Sequence, residues 1–272
     1  MTAPPVALVA TDLDGTLWDR DGRIHPRTAD ALAHLRARGV PVLTVTGRRP
    51  ATAAPLLRAN GLTPAASVYL DGALGREGTD GKVFHRSTLD PGTVTALLAL
   101  CHHHGVEPCV VVDGPDHDLL IGERPSTHPR HLAANAAHVR RCDLAAEAPT
   151  LPVLSLVVCG GDPQPLAALA ARTTALARTS LTRDTVYGGA ALSLRRPGTG
   201  KWQAVRAYCA RSGLDPAGVL ALGDGANDLD LLSEAAVALV PADGDPAALA
   251  HATATVAPAS RGGWADVLEY LP

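Results

Sequence analysis

Two aspartates lie two positions apart, directly after the first apolar run of the chain. Residues 6–11 are long and apolar enough for a buried parallel strand, and Asp12 and Asp14 follow at once. Parallel sheets bind ligands beyond the carboxyl ends of their strands, and carboxylates this close repel unless a cation lies between them. We expect Asp12 and the main-chain carbonyl of Asp14 to share one Mg²⁺, which leaves the Asp14 side chain for proton transfer. The alternative is an Asp-rich turn without chemistry.

Two further motifs are typical of phosphate binding. Thr46, Gly47 and Arg48 follow the second apolar run, where a hydroxyl and a glycine amide at a helix N-terminus can hold an anion. Lys201 opens a predicted helix, where its compact charge suits a phosphoryl oxygen. Two simpler interpretations stay open, namely a helix N-cap for Thr46 and a solvated side chain for Lys201.

A fourth motif, residues 223–228 with the sequence Gly-Asp-Gly-Ala-Asn-Asp, again follows an apolar run. Asp224 at the predicted strand end can complete the ligand set of the metal, and Asn227 and Asp228 begin the next helix, where an aspartate also caps. A calcium-binding EF-hand is excluded because the glycine and the glutamate that its loop requires are misplaced.

The order of apolar runs predicts the fold that positions these motifs. Strands and helices alternate over residues 6–85, and the same rhythm returns after residue 197, which predicts a parallel sheet with right-handed crossovers. The intervening residues have the pattern of an antiparallel α+β unit. We predict an α/β protein in which a core, residues 1–85 and 197–272, carries an inserted domain, residues 86–196.

Composition argues against several classes of protein. The 272 residues carry 24 basic and 27 acidic side chains, a net charge of −3, which argues against a nucleic-acid partner. The apolar runs are shorter than the roughly 18 residues of a membrane span, and the N-terminus lacks the cationic start of a signal peptide. Five scattered cysteines without a C-x-x-C pair fit a reducing compartment. We expect a cytoplasmic protein with neither a nucleic-acid nor a membrane partner.

Taken in order, Asp-x-Asp-Gly-Thr, Thr-Gly-Arg, Gly-Lys and Gly-Asp-x-x-Asn-Asp resemble the motifs of the haloacid dehalogenase superfamily of phosphohydrolases. The insertion resembles, in position and size, the C2 cap of the Cof-type subfamily IIB. The resemblance implies a Rossmann-like parallel-sheet core with an inserted α+β cap, Mg²⁺ dependence and an aspartyl-phosphate intermediate.

The resemblance also implies roles by position. Asp12 is the nucleophile and a metal ligand, and Asp14 is the general acid/base, whose pKa must be raised if it is to deliver a proton. The other implied roles are phosphoryl binding for Leu13, Thr46, Gly47, Lys201 and Asn227, and metal binding for Asp224 and Asp228 alongside Asp12 and Asp14. Arg48, beside this site, is a candidate for a second substrate contact.

Two segments depart from the pattern of the relatives. Asp71-Gly72-Ala73 stands where relatives usually carry Asn-Gly-Ala, and an acid there disfavours a nearby anion. Residues 241–244, Pro-Ala-Asp-Gly, replace a usual Asn-Ala pair. Because that segment borders the expected site, we expect a difference in leaving-group recognition.

These residues together predict a Mg²⁺-dependent phosphatase that hydrolyses a small phosphorylated metabolite, sugar phosphates foremost. Three alternatives stay open: a phosphomutase or phosphotransferase on the same fold, a receiver-like signalling domain, and a non-catalytic sugar-phosphate sensor. The inserted domain argues against the receiver, and the complete set of catalytic side chains argues against the sensor. The sequence leaves open the substrate and the choice between a monomer and a homodimer.

Overall fold

The computed structural model of the chain describes residues 5–114, 116–184 and 186–271. It divides into two compact units, the first formed by Met1–His85 with Gly200–Pro272 and the second by Arg86–Thr199. The sequence predicts a core, 1–85 with 197–272, and an insertion, 86–196. Their first boundary, between residues 85 and 86, is also the first boundary between the two units of the structure. The second junction of the structure falls slightly later, between Thr199 and Gly200. Residues 1–4 and 272 of the predicted core lie outside the described residues.

The elements are numbered in chain order. The strands are β1 (Leu8–Thr11), β2 (Val42–Val45), β3 (Ala66–Tyr69), β4 (Leu74–Glu77), β5 (Val83–Arg86), β6 (Cys109–Val112), β7 (Leu119–Ile121), β8 (Val139–Arg141), β9 (Val153–Gly161), β10 (Arg178–Arg183), β11 (Ala190–Arg195), β12 (Val219–Leu222), β13 (Val237–Pro241) and β14 (Ala254–Val256). The α-helices are α1 (Pro26–Ala37), α2 (Pro50–Ala59), α3 (Pro91–His103), α4 (Pro129–Ala134), α5 (Leu144–Glu147), α6 (Pro163–Thr173), α7 (Lys201–Ser212), α8 (Leu229–Glu234) and α9 (Pro246–Leu249).

An eight-stranded sheet with the order β14-β13-β12-β1-β2-β3-β4-β5 forms the centre of the first unit. The strands from β14 to β3 are parallel, and β4 pairs antiparallel with β3. β1, β3 and β12 are buried at every position, as expected for parallel strands that helices cover. On one face the side chains of the parallel strands form a core with α7, α8 and α9 that includes Leu43, Val205 and Leu231. This arrangement confirms the predicted Rossmann-like α/β class.

The second unit contains a six-stranded sheet with the order β10-β11-β9-β6-β7-β8. Its neighbouring strands are antiparallel except for β7 and β8, which are parallel. Residues of α3 and α6 pack with the strands around a core that includes Leu97, Leu156 and Leu169. The unit therefore has the α+β architecture that the sequence predicts for the insertion.

Two parts of the secondary-structure prediction are corrected. The strand pair β4 and β5 is missing from the prediction, because glycines and charged residues interrupt the apolar alternation of this segment. Residues 264–271 have the sequence pattern of a closing helix, and in the structure they belong to a 3-10 helix, Gly263–Tyr270, which follows Gly262 in the left-handed conformation. Over the described residues, no helix combines the length and the apolarity that crossing a membrane requires.

Candidate active site

Asp12 and Asp224 follow two neighbouring strands at the centre of the first unit. The chain continues from β1 to β2 on one side of β1, whereas β12 and β13 lie on the other side. Such a reversal of strand order leaves a crevice at the carboxyl ends of the strands. The Asp12 amide donates a hydrogen bond to the Leu222 carbonyl (2.9 Å), which ties the two strand ends together at this crevice.

Lys201 joins two of the predicted acidic residues. It is the first residue of α7, and its side chain is 0% exposed. Its Nζ donates to Asp12 Oδ1 at 2.5 Å and to Asp228 Oδ1 at 2.6 Å. Burial lowers the pKa of Lys201, but Asp12 and Asp228 more than offset that effect and raise it overall. The interpretation of Lys201 as a solvated lysine is therefore wrong, because its ammonium group is buried and paired with Asp12 and Asp228.

The Asp12 carboxylate is almost fully buried, with 5% of the residue exposed. Burial raises the pKa of Asp12 well above its ordinary value, and the negative charges of Asp228 and Asp224 raise it further, against the lowering effect of Lys201. One lysine thus faces three carboxylates. The site carries excess negative charge, which a cation would neutralise.

Asp12, Asp224 and Asp228 each offer one carboxylate oxygen within 4.8 Å of the others. An all-oxygen donor set suits a hard divalent cation. Asp228 has a second task, because its Oδ2 accepts hydrogen bonds from the amides of Asp224 (3.1 Å) and Gly225 (3.0 Å). It therefore orients the loop that carries Asp224 as well as holding Lys201.

Asp224 is fixed from the motif that follows β1. Thr16 Oγ1 donates to Asp224 Oδ1 at 3.1 Å, a contact that the sequence prediction misses. Burial raises the pKa of Asp224 to about 6, and Asp228 adds to this effect, while Thr16 and Lys201 oppose it. Residues 241–244, which depart from the usual pattern, border the same residue: the Asp245 amide donates to the Asp224 carbonyl at 2.7 Å, directly after this segment.

Asp14 and Arg48 form a bidentate ion pair. Arg48 Nε donates to Asp14 Oδ2 and its second nitrogen, Nη2, to Asp14 Oδ1, both at 2.6 Å, and Trp18 Nε1 donates to Asp14 Oδ1 at 2.9 Å. Burial alone would raise the pKa of Asp14, but these hydrogen bonds and the charge of Arg48 lower it overall. The expectation of a raised pKa for Asp14 is therefore wrong for this conformation. Arg48 is paired with Asp14 in this structure, and its predicted contact with substrate stays a prediction.

Three of the predicted phosphate-binding residues, Thr46, Gly47 and Asn227, lie beside Asp71. Thr46 is buried and its Oγ1 accepts from the Arg48 amide at 3.1 Å. Asn227 Nδ2 donates to Asp71 Oδ1 at 2.9 Å, and a Cβ added at Gly47 would lie 2.9 Å from the same oxygen. The departure at Asp71 thus places a carboxylate beside Gly47 and Asn227.

The start of α2 corrects the expectation for Thr46 and Gly47. α2 begins at Pro50 with Arg49 as its N-cap residue, so Thr46 is not a helix cap and Gly47 lies before the helix N-terminus.

Leu70 and Asp71 both have positive φ, 55° and 49°. Consecutive left-handed non-glycine residues are costly, and such strain concentrates at functional sites. The segment holds Asp71 against Asn227 at that cost.

The parallel core with acidic residues at its switch point and an inserted second unit define a class of α/β hydrolases. The chain belongs to the haloacid dehalogenase-like hydrolase family, whose sequence profile matches residues 9–268. The predicted membership of this superfamily is confirmed.

Solved structures share the fold over almost the entire chain. A haloacid dehalogenase superfamily phosphatase from Bacteroides thetaiotaomicron is 16% identical, with a TM-score of 0.80 over 97% of this chain and 94% of that one. A subclass IIB sugar phosphatase of the same superfamily is 19% identical, with a TM-score of 0.76 over 97% and 98%. A haloacid dehalogenase-like hydrolase from B. subtilis is 16% identical, with a TM-score of 0.79 over 98% and 100%. The predicted Cof-type, subfamily IIB architecture agrees with this shared fold.

One curated relative is longer than this chain. The protein named Endoribonuclease YBEY, chloroplastic, from Arabidopsis thaliana, is 24% identical in an alignment of 253 residues that covers 89% of this chain. The chain spans 42% of the length of that relative. The endoribonuclease name belongs to that longer protein.

Proposed function

We propose that the chain is a Mg²⁺-dependent phosphatase that hydrolyses a small phosphomonoester through an aspartyl-phosphate on Asp12. The observation that carries the proposal is the pair between Lys201 Nζ and Asp12 Oδ1, at 2.5 Å, buried at the strand switch point. A carboxylate and an ammonium group placed there can receive a phosphoryl group and stabilise its oxygens. The carboxylate cluster of Asp12, Asp224 and Asp228 fits a magnesium ion.

In the proposed first step, a carboxylate oxygen of Asp12 attacks phosphorus, and the bond to the ester oxygen breaks. The departing oxygen takes a proton from Asp14, and Lys201 balances negative charge on the phosphoryl oxygens. Bound Mg²⁺ would reduce the repulsion between the Asp12 carboxylate and the phosphate dianion. Lys201 also holds the Asp12 side chain in place, because its Nζ donates a hydrogen bond to Asp12 Oδ1 and both side chains are buried.

In the proposed second step, Asp14 acts as a base toward the water that hydrolyses the aspartyl-phosphate. The Arg48 pair suits this step, because it lowers the pKa of Asp14 and keeps its side chain a carboxylate. Proton delivery in the first step requires that Asp14 leave Arg48, so that burial and the approaching phosphate can raise its pKa. The two steps therefore need two environments for Asp14.

The proposed substrate is a small phosphorylated metabolite, with sugar phosphates first in the order of testing. The shared fold with a subclass IIB sugar phosphatase supports this order. We also propose a cytoplasmic location and neither a nucleic-acid nor a membrane partner. The net charge of −3 argues against a nucleic-acid partner.

Phosphate release from p-nitrophenyl phosphate and from a panel of sugar phosphates, with and without Mg²⁺, tests this function. We expect Mg²⁺-dependent release of inorganic phosphate that EDTA abolishes. Formation of an isomeric sugar phosphate without phosphate release would instead identify a phosphomutase. A stable phosphoprotein with acetyl phosphate and no turnover would indicate a receiver-like role.

Magnesium should stabilise the protein more at neutral than at acidic pH. The pKa of Asp224 is raised to about 6, so its carboxyl group is protonated near pH 5 and cannot bind a cation well. In the metal-free protein the raised pKa makes stability fall as pH rises from the unfolded value through about 6. We expect excess Mg²⁺ to raise the melting temperature clearly near pH 7.5 and only slightly near pH 5, measured by differential scanning fluorimetry. An equal rise at both pH values would contradict the assignment.

Gly15→Ala should weaken magnesium binding selectively. A Cβ at Gly15 would lie 2.4 Å from Asp224 Oδ2, so the variant must displace this carboxylate. Gly22 provides the control, because its φ of 73° is close to the 78° of Gly15 but no atom lies within 4 Å of an added Cβ. Isothermal titration should show Mg²⁺ affinity reduced about tenfold or more in Gly15→Ala, whereas Gly22→Ala shares only the backbone cost. Equal affinities in the two variants would refute the role of Asp224.

A further inference from the structure

A cavity of about 610 Å³ lies in the first unit between α1, β2 and the segment after α2. Its size falls within the range of roughly 300–1,000 Å³ that is typical of small-molecule sites. None of the predicted catalytic, phosphate-binding or metal-binding residues lines it. The cavity is therefore separate from the residues of the proposed phosphatase chemistry.

Residues of three segments line this space. They include Ala29 and Ala33 of α1, Val42 of β2, and Leu62 and Pro64 after α2. Val42, Leu62 and Pro64 are only half-buried, and Ala29 and Ala33 are exposed. The cavity thus opens to solvent and presents apolar surface that a ligand could cover.

The neutral polar groups around the cavity are hydrogen-bonded within the protein. Thr44 Oγ1 donates to Ser67 Oγ at 2.9 Å, and Asn60 Nδ2 donates to the carbonyls of Gly22 (3.1 Å) and Leu56 (2.9 Å). These bonds turn polar atoms toward the protein itself. The body of a ligand would therefore meet a mainly apolar surface.

Arg36 is the one charged side chain among the residues that line the cavity, all of which are described. It is exposed, and one guanidinium nitrogen, Nη1, donates to Thr63 Oγ1 at 3.3 Å. A guanidinium group has five N–H donors in a planar fork that matches a carboxylate. No acidic side chain among the lining residues competes for it.

We propose that this cavity is a ligand site for an amphipathic carboxylate, with an apolar body against Val42 and Leu62 and a carboxylate on Arg36. The apolar lining argues against a phosphorylated sugar, which would lose its hydration without replacement hydrogen bonds. The positive charge at the edge argues against a cationic ligand. A medium-chain fatty acid meets both conditions.

Isothermal titration of the full chain with sodium decanoate tests the proposal. Ala33→Trp fills the cavity from an exposed position of α1, and His34→Trp, exposed on another face of the same helix and outside the lining, is the control. We expect decanoate to bind the parent protein and the His34→Trp variant, and its affinity to fall about tenfold or more in Ala33→Trp. Ala29→Leu repeats the test if Ala33→Trp fails to fold.

Arg36→Gln tests the charge separately from the apolar surface. We expect decanoate affinity to fall roughly three- to fivefold, as for an exposed ion pair, and the affinity for decan-1-ol to stay unchanged. Arg38→Gln, two positions along α1, controls for the general loss of positive charge and should leave decanoate affinity unchanged. Absence of decanoate binding, or binding that Ala33→Trp does not weaken, overturns the proposal. So does sedimentation showing that the parent chain self-associates and that Ala33→Trp prevents it, since the cavity would then be a contact between copies.

Discussion

Replacement of Asp12 by asparagine is expected to abolish phosphate release, with a loss of at least about a thousandfold in kcat. The amide cannot attack phosphorus as a carboxylate does, and no aspartyl-phosphate can form on it. The fold should persist, because asparagine has nearly the same shape as the aspartate it replaces and Lys201 keeps Asp228 as a partner at 2.6 Å. Removal of one buried carboxylate also relieves repulsion among Asp12, Asp224 and Asp228.

Phosphate release from p-nitrophenyl phosphate, together with the melting temperature, measures this prediction. Asp30→Asn, an exposed aspartate on α1, is the control for the loss of one acidic group and should behave like the parent protein. Hydrolysis by Asp12→Asn within about tenfold of the parent rate would exclude Asp12 as the nucleophile. A cooperative unfolding transition in the variant is required for the comparison.

The convergence of Asp12, Lys201 and Asp224 could be predicted from the sequence for a topological reason. Asp12 and Asp224 each follow a short apolar run, and the carboxyl ends of parallel strands share one edge of a sheet. Lys201 stands at the start of a helix, where a cation is unfavourable unless an anion is close. Its burial between two carboxylates resolves that conflict.

The pairing of Asp14 with Arg48 could not be predicted in the same way. Both residues belong to recognised motifs, but which partner a side chain chooses depends on its rotamer and on the path of the loop. The positive φ of Leu70 likewise has no signal in the sequence, since leucine does not favour that conformation. The sequence therefore predicts which residues meet at the strand ends, whereas the structure is needed to show which of them neutralise one another.

The second large effect is expected for Lys201→Met, on stability as well as on activity. The substitution leaves Asp12 and Asp228 buried without their cation, and breaking a buried ion pair on one side costs about 3–5 kcal/mol in the free energy of unfolding. Lys82→Met is the control, because Lys82 is the other lysine of the chain and is exposed. Urea unfolding should show a large loss for Lys201→Met and almost none for Lys82→Met.

The pH dependence of this loss distinguishes a charge effect from a packing effect. Without Lys201, burial and like charges raise the folded-state pKa of Asp12 further above its unfolded value, so the variant is stabilised by protonation. The loss should therefore be smaller near pH 5 than near pH 8, and Asp228→Asn in the same chain should restore part of the stability near pH 8. A loss that is independent of pH and unchanged by Asp228→Asn would mean that the methylene chain of Lys201, and not its charge, supports this part of the core.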